Sequence, residues 1–173
     1  DATNVVAPLV SIITNVGLDH TAHLGSTLQE IAFEKAGIIK YGVPVVTGET
    51  HKAALSVIAK RARELDAPLL AIGRAFDIDG DERSADYTGI DGGIRGLKLG
   101  LSGAHQMSNA SVALAAMECV RMYGLHITTK AVRDGLKKAS WPGRLEVVKK
   151  RPLVLLDAAH NPSGAKALRA FLE

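Results

Sequence analysis

One cysteine, Cys119, stands in 173 residues. No disulfide can close within the chain, and no cysteine-built zinc cage can form. A reducing, cytoplasmic setting is the simplest expectation. No run of about 18 apolar residues occurs and no basic-then-apolar leader precedes the first apolar stretch, so neither a membrane-spanning helix nor a signal peptide is expected. Charge of one sign is scarce as well. Twenty-one basic against 18 acidic residues leave +3, and the only basic cluster is Lys149-Lys150-Arg151. That is too little for nucleic acid, although a mildly basic cleft suits an anionic ligand. Three motifs are missing: Gly-x-Gly-x-x-Gly, a Gly-Lys-Ser/Thr step and Gly-x-Ser-x-Gly. If the protein cradles phosphates, residues outside this chain must complete the cradle.

What is present is an ordinary globular composition, 47% hydrophobic and 23% charged. It suffices for one domain with a sizeable core, or parts of two. The chain opens on "DATNVV" without Met and stops at "ALRAFLE", inside an amphipathic helical pattern with no C-cap signal, so a piece of a longer protein is expected. "PLVSIITNVG" (8–17) is a β-branched run ending in Gly, as a buried parallel strand would be. A helix should follow. Thr27-x-x-Glu30 forms a capping box, and Leu28, Ile31 and Ala32 make the inward stripe. "VPVV" (43–46) predicts a strand. Residues 51–65 predict a helix facing inward through Leu55, Ile58, Ala59, Ala62 and Leu65, and "PLLAIG" (68–73) a third strand. This alternation argues for a parallel sheet with covering helices. Residues 77–103, rich in Gly and Asp, predict antiparallel strands and turns, and helices follow near 106–123 and 128–139. "SWPGR" (140–144) breaks the helix and marks a domain boundary, after which a strand-strand-helix pattern restarts.

Several residues stand out. His20 follows the first strand at its carboxyl end, where open α/β sheets place ligands, though a loop His is more often structural. His23 adds an i,i+3 pair without the spacing of a zinc site. Lys35 continues the apolar stripe 28, 31, 32, either as a snorkelling chain or as a partly desolvated amine on which chemistry at nitrogen becomes accessible. In "GAHQMSNASVALAAM" (103–117), Gln106, Ser108 and Asn109 open a helix whose later face, Ala113, Ala116 and Val120, is small and apolar. They are either simple caps or holders of a purine or a phosphate. Arg144 follows a rigid Trp-Pro-Gly turn as a candidate anion clamp, and Asp157 ends the strand "PLVLLD". Both sit at the expected domain boundary, a common place for ligand sites.

Together "SIITNVGLDHTAHLGSTLQEIAFEKAGIIKYGVPVV", "GAHQMSNASVAL", "WPGRLEVV" and "LLDAAHNPSGA" resemble the folylpolyglutamate synthase and dihydrofolate synthase family of the Mur ligase superfamily. The resemblance implies an α/β fold: a Mur-ligase-type central ATPase domain (1–140), mostly parallel sheet with flanking helices and a small antiparallel part, then the start of a Rossmann-like C-terminal domain (141–173). It also implies ATP- and Mg²⁺-dependent ligation of L-glutamate to dihydropteroate or a folate through an acyl phosphate, by a cytoplasmic monomer with no nucleic-acid or membrane partner. By position, His20 matches a ligand of the second Mg²⁺, and Lys35 the lysine that becomes a carbamate. Asn109, Arg144 and Asp157 match ATP contacts. Asp1 and Ala2 match part of a pterin-binding loop, and His160 the "HNP" motif at the active-site rim. The resemblance places the Gly-rich phosphate loop upstream of Asp1 and most of the glutamate-binding domain beyond Glu173. A carbamate turns a cationic Lys into an oxygen ligand, which with His20 would help fix Mg²⁺ against a transferring phosphoryl group. The rivals are a sister ligase acting on peptidoglycan precursors and a non-catalytic nucleotide-binding module.

Overall fold

A computed structural model describes residues 2–17 and 25–173. A short 3₁₀ turn, Ala2–Val5, leads into strand β1 (Ser11–Ile13), helix α1 (Leu28–Ala36), β2 (Val45–Thr47), α2 (Lys52–Glu64) and β3 (Leu69–Ala71). The three strands form a parallel sheet in the order β1-β2-β3, with Ser11 opposite Val45 and Val45 opposite Leu69. The expected parallel sheet is therefore present, in shorter strands than the apolar runs suggested. Val16 explains part of the difference: it lies beyond β1 yet is buried in the core under α1 and α2. Apolarity there reports burial, not ladder pairing.

Successive side chains of β2 serve opposite faces, as the strand period requires. Val45 joins Ile13, Ile31, Ala32 and Ala36 of α1 and Ala54, Ile58 and Ala62 of α2 in one core. Val46 joins a second core with Leu70, Val112 and Ala115. Alanine along both helices lets α1 and α2 approach closely. The buried face of α2 is Ala54, Ile58 and Ala62; Leu55, Ala59 and Leu65, expected inside, are only half-buried. The stripe of α1 ends in buried Ala36, and Lys35 beside it is half-buried.

The predicted capping box is formed: Thr27 Oγ1 accepts from the Glu30 amide while Glu30 Oε2 accepts from the Thr27 amide. Three antiparallel strands follow, β4 (Asp77–Asp81), β5 (Ser84–Gly89) and β6 (Gly92–Leu97). They pack through Ala85, Tyr87 and Leu97 against α3 (Ala104–Arg121) and Val132 of α4 (Thr129–Lys138). Helix α3 is buried on most of its circumference, including Ser111, Glu118 and Cys119. Ala113 departs from the expected apolar face and is exposed. Last come an antiparallel pair, β7 (Glu146–Lys150) with β8 (Leu153–Leu156), and α5 (Pro162–Leu172), capped by the Asn161 side chain on the Gly164 amide.

Candidate functional site

The turn after α4 is wound so that Arg144 stands out from it. Gly143 has φ +73° and Leu145 φ +48°, the left-handed region that costs a branched residue energy. What holds the strain is a strap from the end of β8. Asp157 Oδ2 accepts from the Leu145 amide at 3.0 Å, Asp157 Oδ1 accepts from the Ala159 amide at 2.8 Å, and the Ala158 amide donates to the Gly143 carbonyl at 2.8 Å. Glu146 adds an acceptor for the Gly143 amide at 2.7 Å. Arg144 and Asp157 thus meet on one cleft of about 210 Å³ that also includes Asn15, His105, Asn161 and Ser163. The Arg144 guanidinium makes no ion pair among the described residues, as suits a group kept for an anion. Asp157, half-buried, has lone pairs left after its two backbone bonds, enough to accept from hydroxyl groups.

A second hollow, also of about 210 Å³ and almost wholly apolar, lies between α3 and α4. Leu99, Leu101, Ala113 and Leu136 wall it, and Gln106 and Asn109 supply its polar edge. Neither amide caps the helix. Helix α3 begins earlier, at Ala104, on an N-cap Gly103 that makes no side-chain cap bond. The simple-cap alternative therefore falls away for Gln106, Ser108 and Asn109. Leu101 and Arg144 also line a smaller, mostly polar groove with Trp141, which lies between the apolar slot and the Arg144–Asp157 cleft.

The other candidates are scattered. Lys35 lies on the last turn of α1, half-buried and lining neither hollow. His160 is exposed at the cleft's margin, its Nδ1 2.8 Å from the Ala158 carbonyl oxygen. His20 and Asp1 lie outside the described residues, and of Ala2 only the backbone, at the head of the 3₁₀ turn, is described. Among the described residues no three His, Cys, Asp or Glu side chains converge as a metal cage.

Two residues that sequence reasoning passed over matter here. His105 shares the Arg144 cleft. Glu49, buried just past β2, accepts from the Val16 and His51 amides at 2.6 Å each and so pins the backbone two residues before Leu18. The rule that singled out Asp157, a carboxylate at the carboxyl end of a strand, applies equally to Glu49. Gly48 permits this packing: a Cβ there would lie 2.6 Å from the Thr14 carbonyl oxygen and 3.1 Å from Ser108 Oγ.

No protein-family model matches the chain. It is 41% identical over 174 residues to the dihydrofolate synthase/folylpolyglutamate synthase of Bacillus subtilis, a match covering 97% of this chain and 40% of that protein. It is 37% identical to the folylpolyglutamate synthase of Lacticaseibacillus casei, covering 100% of this chain and 42% of that one. A solved complex of a folylpolyglutamate synthase with AMPPCP and folate superimposes with a TM-score of 0.92 at 36% identity, over 99% of this chain and 43% of that chain. The chain thus spans about two fifths of the length of the relatives it matches. With sequence and fold agreeing along nearly every residue, the chain belongs to the folylpolyglutamate synthase and dihydrofolate synthase family.

Proposed function

We propose that the protein carrying this chain is an ATP-dependent ligase that joins L-glutamate to dihydropteroate, to folyl-(poly)glutamate, or to both, through an acyl phosphate. Residues 1–140 are then the later part of a central ATPase domain and 141–173 the start of a C-terminal domain, in a monomer working in the cytoplasm on small-molecule substrates. No described helix is long and apolar enough to cross a membrane. The observation that carries the reading is the meeting of Arg144 and Asp157 on one cleft, with an apolar slot edged by Asn109 beyond the Trp141 groove. An apolar slot with amide groups suits a purine, a carboxylate with spare lone pairs suits ribose hydroxyls, and a guanidinium with no ion pair among the described residues suits phosphate. The relative solved with an ATP analogue and folate supports the same substrates for this chain.

In this reading Lys35, carrying a carbamate, joins His20 and phosphate oxygens in holding Mg²⁺, which supplies charge neutralisation to the transferring phosphoryl group. His160 stands at the rim, and Asp1 with Ala2 holds the pterin. The test offers dihydropteroate and a reduced folate separately, each with ATP, Mg²⁺ and L-glutamate, to the full-length protein. Glutamate-dependent phosphate release with at least one is expected, and release with neither would overturn the reading. Arg144→Ala should lower nucleotide affinity while shifting stability by no more than about 0.5 kcal/mol, because the exposed side chain leaves the core untouched. Equal ATP affinity in variant and parent would return Arg144 to an ordinary surface charge.

A further inference from the structure

Past Ile13 the chain leaves the β1–β2 ladder, and side chains from the end of β2 take over its hold on the backbone. Thr47 Oγ1 donates to the Ile13 carbonyl at 2.7 Å and accepts from the Glu49 amide at 3.1 Å. Glu49 is 4% exposed, and each carboxylate oxygen takes one backbone N–H at 2.6 Å, Oε2 from Val16 and Oε1 from His51. Among the described residues it has no ion pair. A buried carboxylate without a cation is costly, so these two short charge-assisted bonds are what keep it in place. Val16 is buried too, in the core under α1 and α2, and the turn is therefore held by both a side chain and an amide.

The residues on either side of Val16 reach the Arg144–Asp157 cleft. Asn15 lines it directly. Gly17 abuts the first turn of α5, where an added Cβ would lie 3.1 Å from Ser163 Oγ, and Ser163 lines the same cleft. We infer that Glu49 is a positioning residue of the ligase, whose carboxylate holds the Val16 amide and so sets Asn15 against the substrate in that cleft. This rests on the function proposed above. The site asks for two acceptors at once, one for each backbone N–H, and a carboxylate supplies both. A side-chain amide of the same shape has one oxygen and one NH₂ group, which would meet one of the two N–H groups donor against donor. A buried N–H left without an acceptor is costly, and the turn relieves that cost by moving.

The experiment measures kcat/KM for ATP in the full-length protein, with Mg²⁺, L-glutamate and whichever of dihydropteroate or reduced folate supports turnover, well below the melting temperature of each variant. Glu49→Gln should lower it by roughly 10- to 100-fold, the scale of a small misplacement at a reacting centre. Asn15→Ala, at an exposed position, should lower it comparably. In the double variant the second change should add less than about threefold, because Glu49 then has no Asn15 side chain left to position. A carboxylate that only stabilises the fold would cost the same with or without Asn15, so additive losses would overturn the role. Parent-like turnover in Glu49→Gln or in Asn15→Ala would overturn it too. If Glu49→Gln does not fold, Glu49→Asp, which keeps the charge on an arm too short to reach both amides, carries the same cycle to the same readings. A parent without glutamate-dependent turnover would overturn the ligase reading itself, and the role of Glu49 with it.

Discussion

Lys35 is the only basic residue in the last turn of α1. There the helix dipole favours a cation by about 0.3–1 kcal/mol and disfavours an anion correspondingly. A carbamate on Lys35 therefore works against its own helix end, and a divalent cation is the natural compensation. Its formation should depend on metal: with ¹³C-bicarbonate in the full-length protein, a carbamate carbon signal should appear with Mg²⁺ and nucleotide and vanish with chelator. Lys35→Ala should remove that signal and lower ligation by orders of magnitude, with partial rescue by added short carboxylates. Unchanged turnover in Lys35→Ala would show that the amine is a stem covering apolar surface. At this scale the sequence was partly legible. A Lys on an apolar stripe is visible in a periodicity, and so is a carboxylate at a strand end. The bond from Asn109 Nδ2 to Gln106 Oε1 is not, because it depends on two side chains of α3 meeting in the folded chain.

Between elements, β5 is tied to α3 by a buried pair. Tyr87 donates its hydroxyl to Glu118 Oε2 at 3.0 Å, and the Ile90 amide donates to the same oxygen at 3.1 Å. Burial first, then the Glu118 charge, pushes the Tyr87 phenol well above its ordinary range, and the same causes in the same order push up the Cys119 thiol. Both shifts act in one direction. The folded state keeps these protons while the unfolded chain releases them, so stability is full below the unfolded values, about 8.5 for the thiol and 10 for the phenol, and is lost as pH rises above them. Denaturant midpoints should hold between pH 7 and 8 and then fall, by about 1.4 kcal/mol per pH unit for each group that titrates. Tyr87→Phe should cost about 1–2 kcal/mol at pH 7 and flatten the decline above pH 10. A midpoint that stays level to pH 11 in the parent would contradict the linkage. Element identities were easier to foresee than their ends. The Thr27 capping box announced α1 because its chemistry is local. The start of α3 was missed because Gly103, in a positive-φ conformation, replaces the Ser or Asn that a cap pattern looks for.

On the scale of the whole molecule, the division of labour follows from what the chain contains. Alternating strand and helix runs made the parallel sheet legible, whereas the cleft could be guessed only as two candidate residues near one boundary. Arg144 and Asp157 meet because a strained turn is strapped to the end of β8, a long-range arrangement with no sequence period. In the proposed reading, the slot and the Arg144–Asp157 cleft serve base, sugar and one anionic contact. Transfer of a γ-phosphoryl group needs more: backbone N–H groups and a Lys around the β- and γ-phosphates, with metal between them. The 173 residues contain no Gly-Lys-Ser/Thr step. Much apolar surface of β7, β8 and α5 is exposed, including Leu153 at 67% and Leu172 at 64%, more than an isolated unit usually leaves in water. The 173-residue chain by itself should therefore bind MgATP weakly, through the slot and Arg144, and release no phosphate when dihydropteroate and glutamate are added. The comparison is with the full-length protein under identical ATP, Mg²⁺ and substrate concentrations. Arg144→Ala in the short chain should remove the residual nucleotide binding. Glutamate-dependent phosphate release by the short chain would mean that phosphoryl transfer is performed by groups within these 173 residues alone, and the expectation that a phosphate loop outside them completes the site would be wrong.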